Sequence, residues 1–306
     1  MLKKRVEKLM GNRFELTVQT ITEKEADFFL DKAVSEITRI ENLLSTYKPN
    51  SETSLINDNA GIKPVVVSEE TFRLVQRSQK ISNLTQGAFD LSYGSLDKKF
   101  WNFDQKMKSL PDKVSAQKLV QLINYQNIIL DEKEFTVFLK NKGMRVGFGG
   151  IGKGFAAEKA KNILKELGVK AGIVNASGDL TAWGNPENVD FWTVGIAHPD
   201  LADSPFSFLE ITDLAVATSG NYEKFVTIDG KKYSHTIDPK TGFPISGIKS
   251  VTIISPNAEI SDAFATPVTI MGIEAGLGMI NQMKDIACII IDDFNKIYHS
   301  KNINLN

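Results

Sequence analysis

Cysteine is almost absent. Cys288 is the only one in 306 residues, so no disulfide can form within the chain and no cysteine-ligated metal centre can form within one copy. Its surroundings, "IACIII", read as a buried strand in which a small thiol packs as a core residue. Histidine is nearly as scarce, at His198, His235 and His299. There is no run of about 18 apolar residues, the length that a membrane-crossing helix needs. The opening "MLKKRVEKL" lacks the apolar segment of a secretory leader. An excess of either charge is missing too. Lys and Arg number 36 against 37 Asp and Glu, a net charge of −1, which argues against nucleic acid as the main partner, because such binding needs a basic face. At 42% hydrophobic and 24% charged, the composition is that of an ordinary globular chain.

The pattern of residues supplies the elements. "FELTVQT" alternates as a strand. A helix is predicted from Thr22 to Ser45, opened by a Thr22/Glu25 capping box, with Ala26, Phe29, Leu30, Ala33, Ile37, Ile40 and Leu44 on one face. "LSTYKPNSETSLIN" reads as turn-rich, Glu69 to Leu84 as a second helix, "GAFDLSYGSL" as a loop or broken helix, and Ser115 to Ile123 as a short helix. "NIIL", "FTVFLK" and "GMRVGF" read as strands, Lys153 to Leu167 as a helix, and "AGIVNAS", "FWTVGIA", "FSFLEIT", "AVATSG", "KFVTI" and "SVTIISP" as further strands. "SDAFATPVTIMG" reads as the start of a helix, followed by one more helix and two strands. No repeat or linker divides the chain, so residues 1–306 are read as one domain. Without a steady β-α-β rhythm in the second half, the expected class is α+β with mixed, largely antiparallel sheets and packed helices.

The stretch "VGFGGIGKGFAAEKA" fits two nucleotide-binding patterns on paper. Gly147, Gly149 and Gly152 spell the dinucleotide fingerprint G-x-G-x-x-G, but that fold needs an acid about 20 residues later for the ribose. Here the next strand ends in Asn175, Ala176 and Ser177. Gly147, Gly152 and Lys153 spell a phosphate loop, but Gly154 stands where a Ser or Thr hydroxyl should bind magnesium. Both readings are discounted. What survives is a helix N-terminus with exposed backbone groups and a nearby Lys153, a setting that favours an anion. The plain alternative is that the glycines only let a helix pack closely on a strand.

Other segments carry chemistry by type and spacing. Asp262 and Thr266 lie at i and i+4 on one helix face, and a carboxylate with a hydroxyl suits magnesium. The structural alternative is that Ser261 or Asp262 caps the helix. His235, in "YSHTIDPKTGFP", has a near-neutral base at a strand end and is a general-base candidate; otherwise it is a half-buried histidine bonded to backbone. Tyr47 could stack on a planar ligand, and Asp90 sits between small and aromatic residues. His198 and His299 are read as bystanders. Ser177 lacks the preceding glycine of a nucleophile elbow.

Taken in order, "STYKPNSETSLIN", "GAFDLSYGSL" with "WNF", "GGIGKGFAAEKA", "NASGDLTAWG", "ATSGNYEKF", "SHTIDPKTG" and "DAFAT" resemble the ApbE family, the FAD:protein FMN transferases. The resemblance runs over nearly the whole chain. It implies two lobes enclosing a flavin-nucleotide cleft, FAD as substrate, Mg2+ as cofactor, and transfer of FMN to a Thr or Ser of an acceptor flavoprotein with release of AMP. By resemblance, FAD contacts fall on Met10, Tyr47, Ala88, Phe89, Asp90, Lys153 and Ile237. Metal ligands fall on the side chains of Asp262 and Thr266 and the backbone oxygens of Gly150 and Ala265, and His235 matches the base. Many members carry Asp where this chain has Gly147, and Thr where it has Asn12, so one ligand contact differs.

The resemblance also implies work on the periplasmic or exported side of a membrane, with any leader or lipid anchor absent from this chain; a cytosolic form is the alternative. The rival activities are a magnesium-dependent FAD pyrophosphatase, with water replacing the acceptor hydroxyl, and a flavin-binding module without catalysis.

Overall fold

The computed structural model describes residues 1–97, 109–197, 205–221 and 225–303. Trp101 and the rest of "WNF", His198, and Tyr222 within "ATSGNYEKF" lie outside them. In chain order the strands are β1 (Leu2–Leu9), β2 (Asn12–Gln19), β3 (Val65–Val66), β4 (Ile128–Asp131), β5 (Thr136–Leu139), β6 (Gly172–Ala176), β7 (Asp179–Trp183), β8 (Trp192–Ala197), β9 (Pro205–Ile211), β10 (Ala215–Gly220), β11 (Phe225–Ile228), β12 (Lys231–Ser234), β13 (Ile248–Ser255), β14 (Ala287–Asp292) and β15 (Ile297–His299). The helices are α1 (Glu23–Leu44), α2 (Glu52–Asp58), α3 (Glu69–Leu84), α4 (Lys113–Val120), α5 (Gly152–Glu166), α6 (Ala258–Met271) and α7 (Ile273–Ile280).

Eight strands form the central sheet, in the order β1-β2-β6-β7-β10-β13-β14-β15. Every neighbouring pair in it is antiparallel. The expected α+β class with antiparallel sheets is therefore what the chain adopts. Period-two alternation decides which side chains go to which face. Trp183, Ala215, Val251, Ile253, Cys288 and Ile290 point to the main core, where α1, α5 and α6 pack. Leu180, Ala182, Val216, Ile254 and Ile289 point to a second core with Trp192, Val194 and Ile211. β13 is buried at all eight positions, with Lys249, Ser250, Thr252 and Ser255 among them. Cys288 is fully buried on β14, and burial pushes its thiol up to about 12.

α1 forms as expected. Thr22 and Glu25 make the reciprocal capping box, and Ala26, Leu30, Ala33, Ile37, Ile40 and Leu44 are buried; Phe29 is partly buried against the same core. Three expectations need correction. "GMRVGF" is not a strand, because its backbone groups are taken by side chains and turns instead of a ladder. Val146 N–H donates to Asn57 Oδ1 at 2.7 Å, and its carbonyl accepts from Asn57 Nδ2 at 3.0 Å. Within the turn-rich segment, Ser51 caps the short helix α2 through the N–H of Ser54. α6 starts four residues before Asp262, capped by Asn257 through the N–H of Ile260, so neither Ser261 nor Asp262 is its cap. Pro267 sits inside this helix and withholds the N–H that the carbonyl of Ala263 would accept.

Candidate active site

The inner ends of β6, β7 and β10 meet the start of α5 and the middle of α6 at one wall of a deep cleft. The segment around Tyr47, the "AFDLSYG" turn and the backbone from Arg145 to Gly150 line the same cleft. The cleft holds about 1480 Å³, larger than the roughly 300–1,000 Å³ of most small-molecule sites. Tyr47, Ala88, Phe89, Asp90, Gly150, Lys153, His235, Ile237, Asp262, Ala265 and Thr266 all line it. Met10 is not among the lining residues. It has φ of 51°, its N–H donates to Glu41 Oε2 at 3.1 Å, and its methyl group lies behind Gly152.

The glycine-rich turn is explained by the contact between two helices. α5 opens at Gly152 with no side-chain cap of its own, leaving its first N–H groups without intrahelical partners. Asp262, on α6, supplies the cap. Its Oδ2 accepts the Gly154 N–H at 2.9 Å, and it also takes a hydrogen bond from the Lys153 backbone. A side chain at position 154 would destroy this approach, since a Cβ there would sit 2.1 Å from the Ala258 carbonyl oxygen and 2.7 Å from Asp262 Cβ. The anion favoured by this helix N-terminus is thus one of the protein's own carboxylates.

Asp179, the first residue of β7, completes the polar centre. It is 3% exposed, it pairs with Lys153 Nζ, and it accepts the Thr218 N–H. Burial pushes its carboxyl up, against the opposing charge of Lys153. Asp262 is pushed up to about 7, first by burial and then by the Asp179 carboxylate, against the Lys153 charge and the two amides. Two buried carboxyls therefore share one ammonium, a set short of positive charge. The sequence motifs assign Asp179 no role; its one signal is that it is the acid that follows "NASG", two residues beyond Ser177.

The donors around Asp262 are hard oxygens. Thr266 stands one turn further along α6 and faces the cleft, as does Gly150. The Ala265 carbonyl already accepts the Thr269 hydroxyl at 2.8 Å. Among the described residues there is no cluster of three or more His, Cys, Asp or Glu side chains suited to a metal. A magnesium ion here would combine one carboxylate with hydroxyl, backbone and ligand oxygens, a donor mix that suits it.

Asp90 organises the "AFDLSYG" turn. One oxygen accepts the Ser92 N–H and hydroxyl at 2.7 and 2.6 Å, and the other accepts the Tyr125 N–H at 2.7 Å. Burial pushes its carboxyl up, and these hydrogen bonds pull it back. Tyr47 is 95% exposed, with its ring free to lie over a ligand. His235 follows the last residue of β12 and is exposed rather than half-buried. Ile237 is fully buried and its N–H donates to Tyr93 Oη at 3.0 Å. Among the described residues, the only atom near a Cβ built at Gly147 is Thr46 Cγ2, at 3.9 Å, so their packing does not require glycine there. His299 lies on β15, away from the cleft-lining set.

Comparison with known proteins places this arrangement. The ApbE family model matches residues 10–290. The FAD:protein FMN transferase of Klebsiella pneumoniae is 33% identical over 257 residues, 83% of this chain and 79% of that protein. The protein of the same name from Escherichia coli K12 is 29% identical over 273 residues, 87% of this chain and 78% of its own length. The crystal structure of the ApbE protein from Thermotoga maritima superposes with a TM-score of 0.86 at 27% identity, covering 98% of this chain and 97% of that one. The flavin transferase ApbE from Vibrio cholerae shares the fold, with a TM-score of 0.83 at 24% identity and coverage of 98% and 97%.

Proposed function

The chain belongs to the ApbE family, and on that premise we propose that it is an FAD:protein FMN transferase acting on a Thr or Ser hydroxyl of an acceptor flavoprotein. The observation that carries the reading is the convergence, in one cleft of about 1480 Å³, of a flat-ligand wall, a buried carboxylate-lysine centre and an exposed histidine. FAD fits such a space, with the flavin against Tyr47, Ala88 and Phe89 and the pyrophosphate toward Lys153.

Asp262, Thr266 and the Gly150 carbonyl are the proposed magnesium ligands; when bound, the ion supplies Lewis-acid polarisation of the phosphoryl oxygens. The chain's own residues do the remaining work. Lys153 neutralises pyrophosphate charge, and Asp179 holds its ammonium in place. His235 accepts the proton of the acceptor hydroxyl as the oxygen attacks the FMN-side phosphorus. The new P–O bond is a phosphoester, the pyrophosphate P–O bond breaks, and AMP leaves with the bridging oxygen. General-base assistance of this kind is worth about 10²–10⁴-fold.

Incubation with FAD, Mg2+ and an acceptor flavoprotein is expected to add an FMN-sized mass to one Thr or Ser and to release one AMP per flavin transferred. AMP released at the same rate without acceptor would make the protein a pyrophosphatase. Intact FAD after long incubation with a competent acceptor would leave it a binding module. The proposed place of action is the exported side of a membrane, to be tested by fractionating cells that make the full-length protein. Among the described residues no helix is long and apolar enough to cross a membrane.

A further inference from the structure

A general base works only if its imidazole is held within about 2.6–3.2 Å of the proton it takes, and a displacement of about 1 Å can cost about 10²-fold. His235 is exposed and lines the cleft, and part of its precision comes from the backbone that carries it. The residues on either side provide it. Ser234 and Thr236 are 4% and 8% exposed. They turn to the face opposite His235, as alternate residues of an extended segment do.

Both meet one side chain. Asn221 Oδ1 accepts the Ser234 hydroxyl at 2.6 Å and the Thr236 hydroxyl at 3.4 Å. The Ser234 hydroxyl oxygen in turn accepts the Thr236 N–H at 3.0 Å. Asn221 is itself fixed to the central sheet, because its Nδ2 donates to the Ile248 carbonyl at 2.9 Å and its N–H donates to the Lys249 carbonyl at 2.8 Å. It is 6% exposed, and it borders a small cavity behind the segment rather than the cleft. We propose that Asn221 is the positioning residue for His235, tying the two residues that flank the imidazole to the rigid strand β13. The inference rests on the reading of His235 as the base. An apolar residue at 221 would strand the Ser234 hydroxyl without a buried partner, at a cost of about 1–3 kcal/mol, and would release the segment.

The test is a double-mutant cycle on Asn221→Ala and His235→Ala. Transfer of FMN to the acceptor is read as kcat at saturating FAD and Mg2+, and FAD affinity is read separately from flavin fluorescence. Asn221→Ala is expected to lower kcat about 10–100-fold while leaving the FAD Kd within about twofold. In the His235→Ala background the same change is expected to have less than about a twofold further effect, since groups that act as a unit are not additive. Ser234→Ala, a milder change that keeps the core filled, should give a smaller loss with the same silence in the His235→Ala background. It carries the cycle if Asn221→Ala does not fold. Asn221→Asp, which keeps the acceptor oxygen, should recover part of the rate. Undiminished kcat in both Asn221→Ala and Ser234→Ala overturns the proposal. So does a full multiplicative loss in the double variant, or a Kd that rises in step with the loss of kcat. His235→Ala at the wild-type rate would instead overturn the base assignment itself.

Discussion

Replacing Gly154 with alanine isolates the contact on which the centre depends. The new Cβ would lie 2.1 Å from the Ala258 oxygen, 2.8 Å from the Ala258 carbonyl carbon and 2.7 Å from Asp262 Cβ. Favourable separations between heavy atoms are about 3.5–4.0 Å, so α5 and α6 must part by about 1 Å. Two of the three obstructing atoms are backbone, which cannot rotate away. Overpacking of this kind costs about 1–3 kcal/mol or more. The better helix propensity of alanine returns at most about 1 kcal/mol. In a chain of 306 residues, a net loss of about 2 kcal/mol corresponds to a melting temperature lower by roughly 3 °C. The same displacement pulls Asp262 from the Gly154 N–H, so FMN transfer should fall at least about tenfold. Thermal unfolding followed by circular dichroism, with AMP release measured by chromatography, reads both effects. Gly149→Ala is the control, because no described atom lies within 4 Å of its Cβ and its melting temperature should stay within about 1 °C of wild type. Gly154→Ser should be at least as damaging as Gly154→Ala, whereas a phosphate loop would welcome the hydroxyl. Wild-type stability and transfer in either variant at 154 would refute the reasoning.

His235→Ala should lower transfer about 10²–10⁴-fold with FAD binding preserved; a wild-type rate in the mass-spectrometric acceptor assay would remove it from the mechanism. Asp179→Asn should cost roughly 1–3 kcal/mol, below the about 3–5 kcal/mol of a fully buried pair because the Lys153 side chain is 28% exposed. It should also weaken FAD binding measured without metal, and unchanged stability and affinity would show that Lys153 does not need it. Cys288 should resist thiol reagents at pH 8 until denaturant is added, because burial holds its thiol up at about 12 and only the thiolate reacts. The folded form keeps the proton longer than the unfolded chain. This contribution to stability is therefore present below about pH 9 and lost as pH rises toward about 12. Rapid labelling of the native protein would contradict that burial.

Local and periodic features were legible in the sequence, and features satisfied across the fold were not. The stripe and capping box of α1 announce themselves because both partners of each interaction lie within one helix. β1 escapes a search for apolar alternation. It is an edge strand, and Lys3 and Arg5 reach Asp27 and Asp31 of α1. Edges of sheets tolerate charge in this way. The segment around Val146 has the composition of a strand, yet its hydrogen-bond partner is the side chain of Asn57, 89 residues away. The role of Asp179 is hard to read locally for a similar reason. Its meaning lies in Lys153, which precedes it by 26 residues and meets it only because α5 packs on β7.

The glycine-rich turn shows how a motif can match for the wrong physical reason. Dinucleotide folds and phosphate loops use glycine so that backbone can approach a ligand phosphate. Here Gly154 lets backbone approach another helix, and the anion at the helix N-terminus is Asp262. That exchange changes what the site can attract. A free helix N-terminus draws phosphate directly, whereas one already capped by a buried carboxylate, with Asp179 beside it and a single lysine between them, draws a cation first. On the proposed function, phosphate recognition in this cleft would depend on positive charge gathered by the acids, and a phosphate-loop hydroxyl at position 154 would cost the helix contact. At Gly147, which completes both misleading matches, and at Gly149, a built Cβ meets no described atom closer than 3.9 Å, so packing among the described residues demands glycine at neither, whereas the helix–helix contact demands it at Gly154.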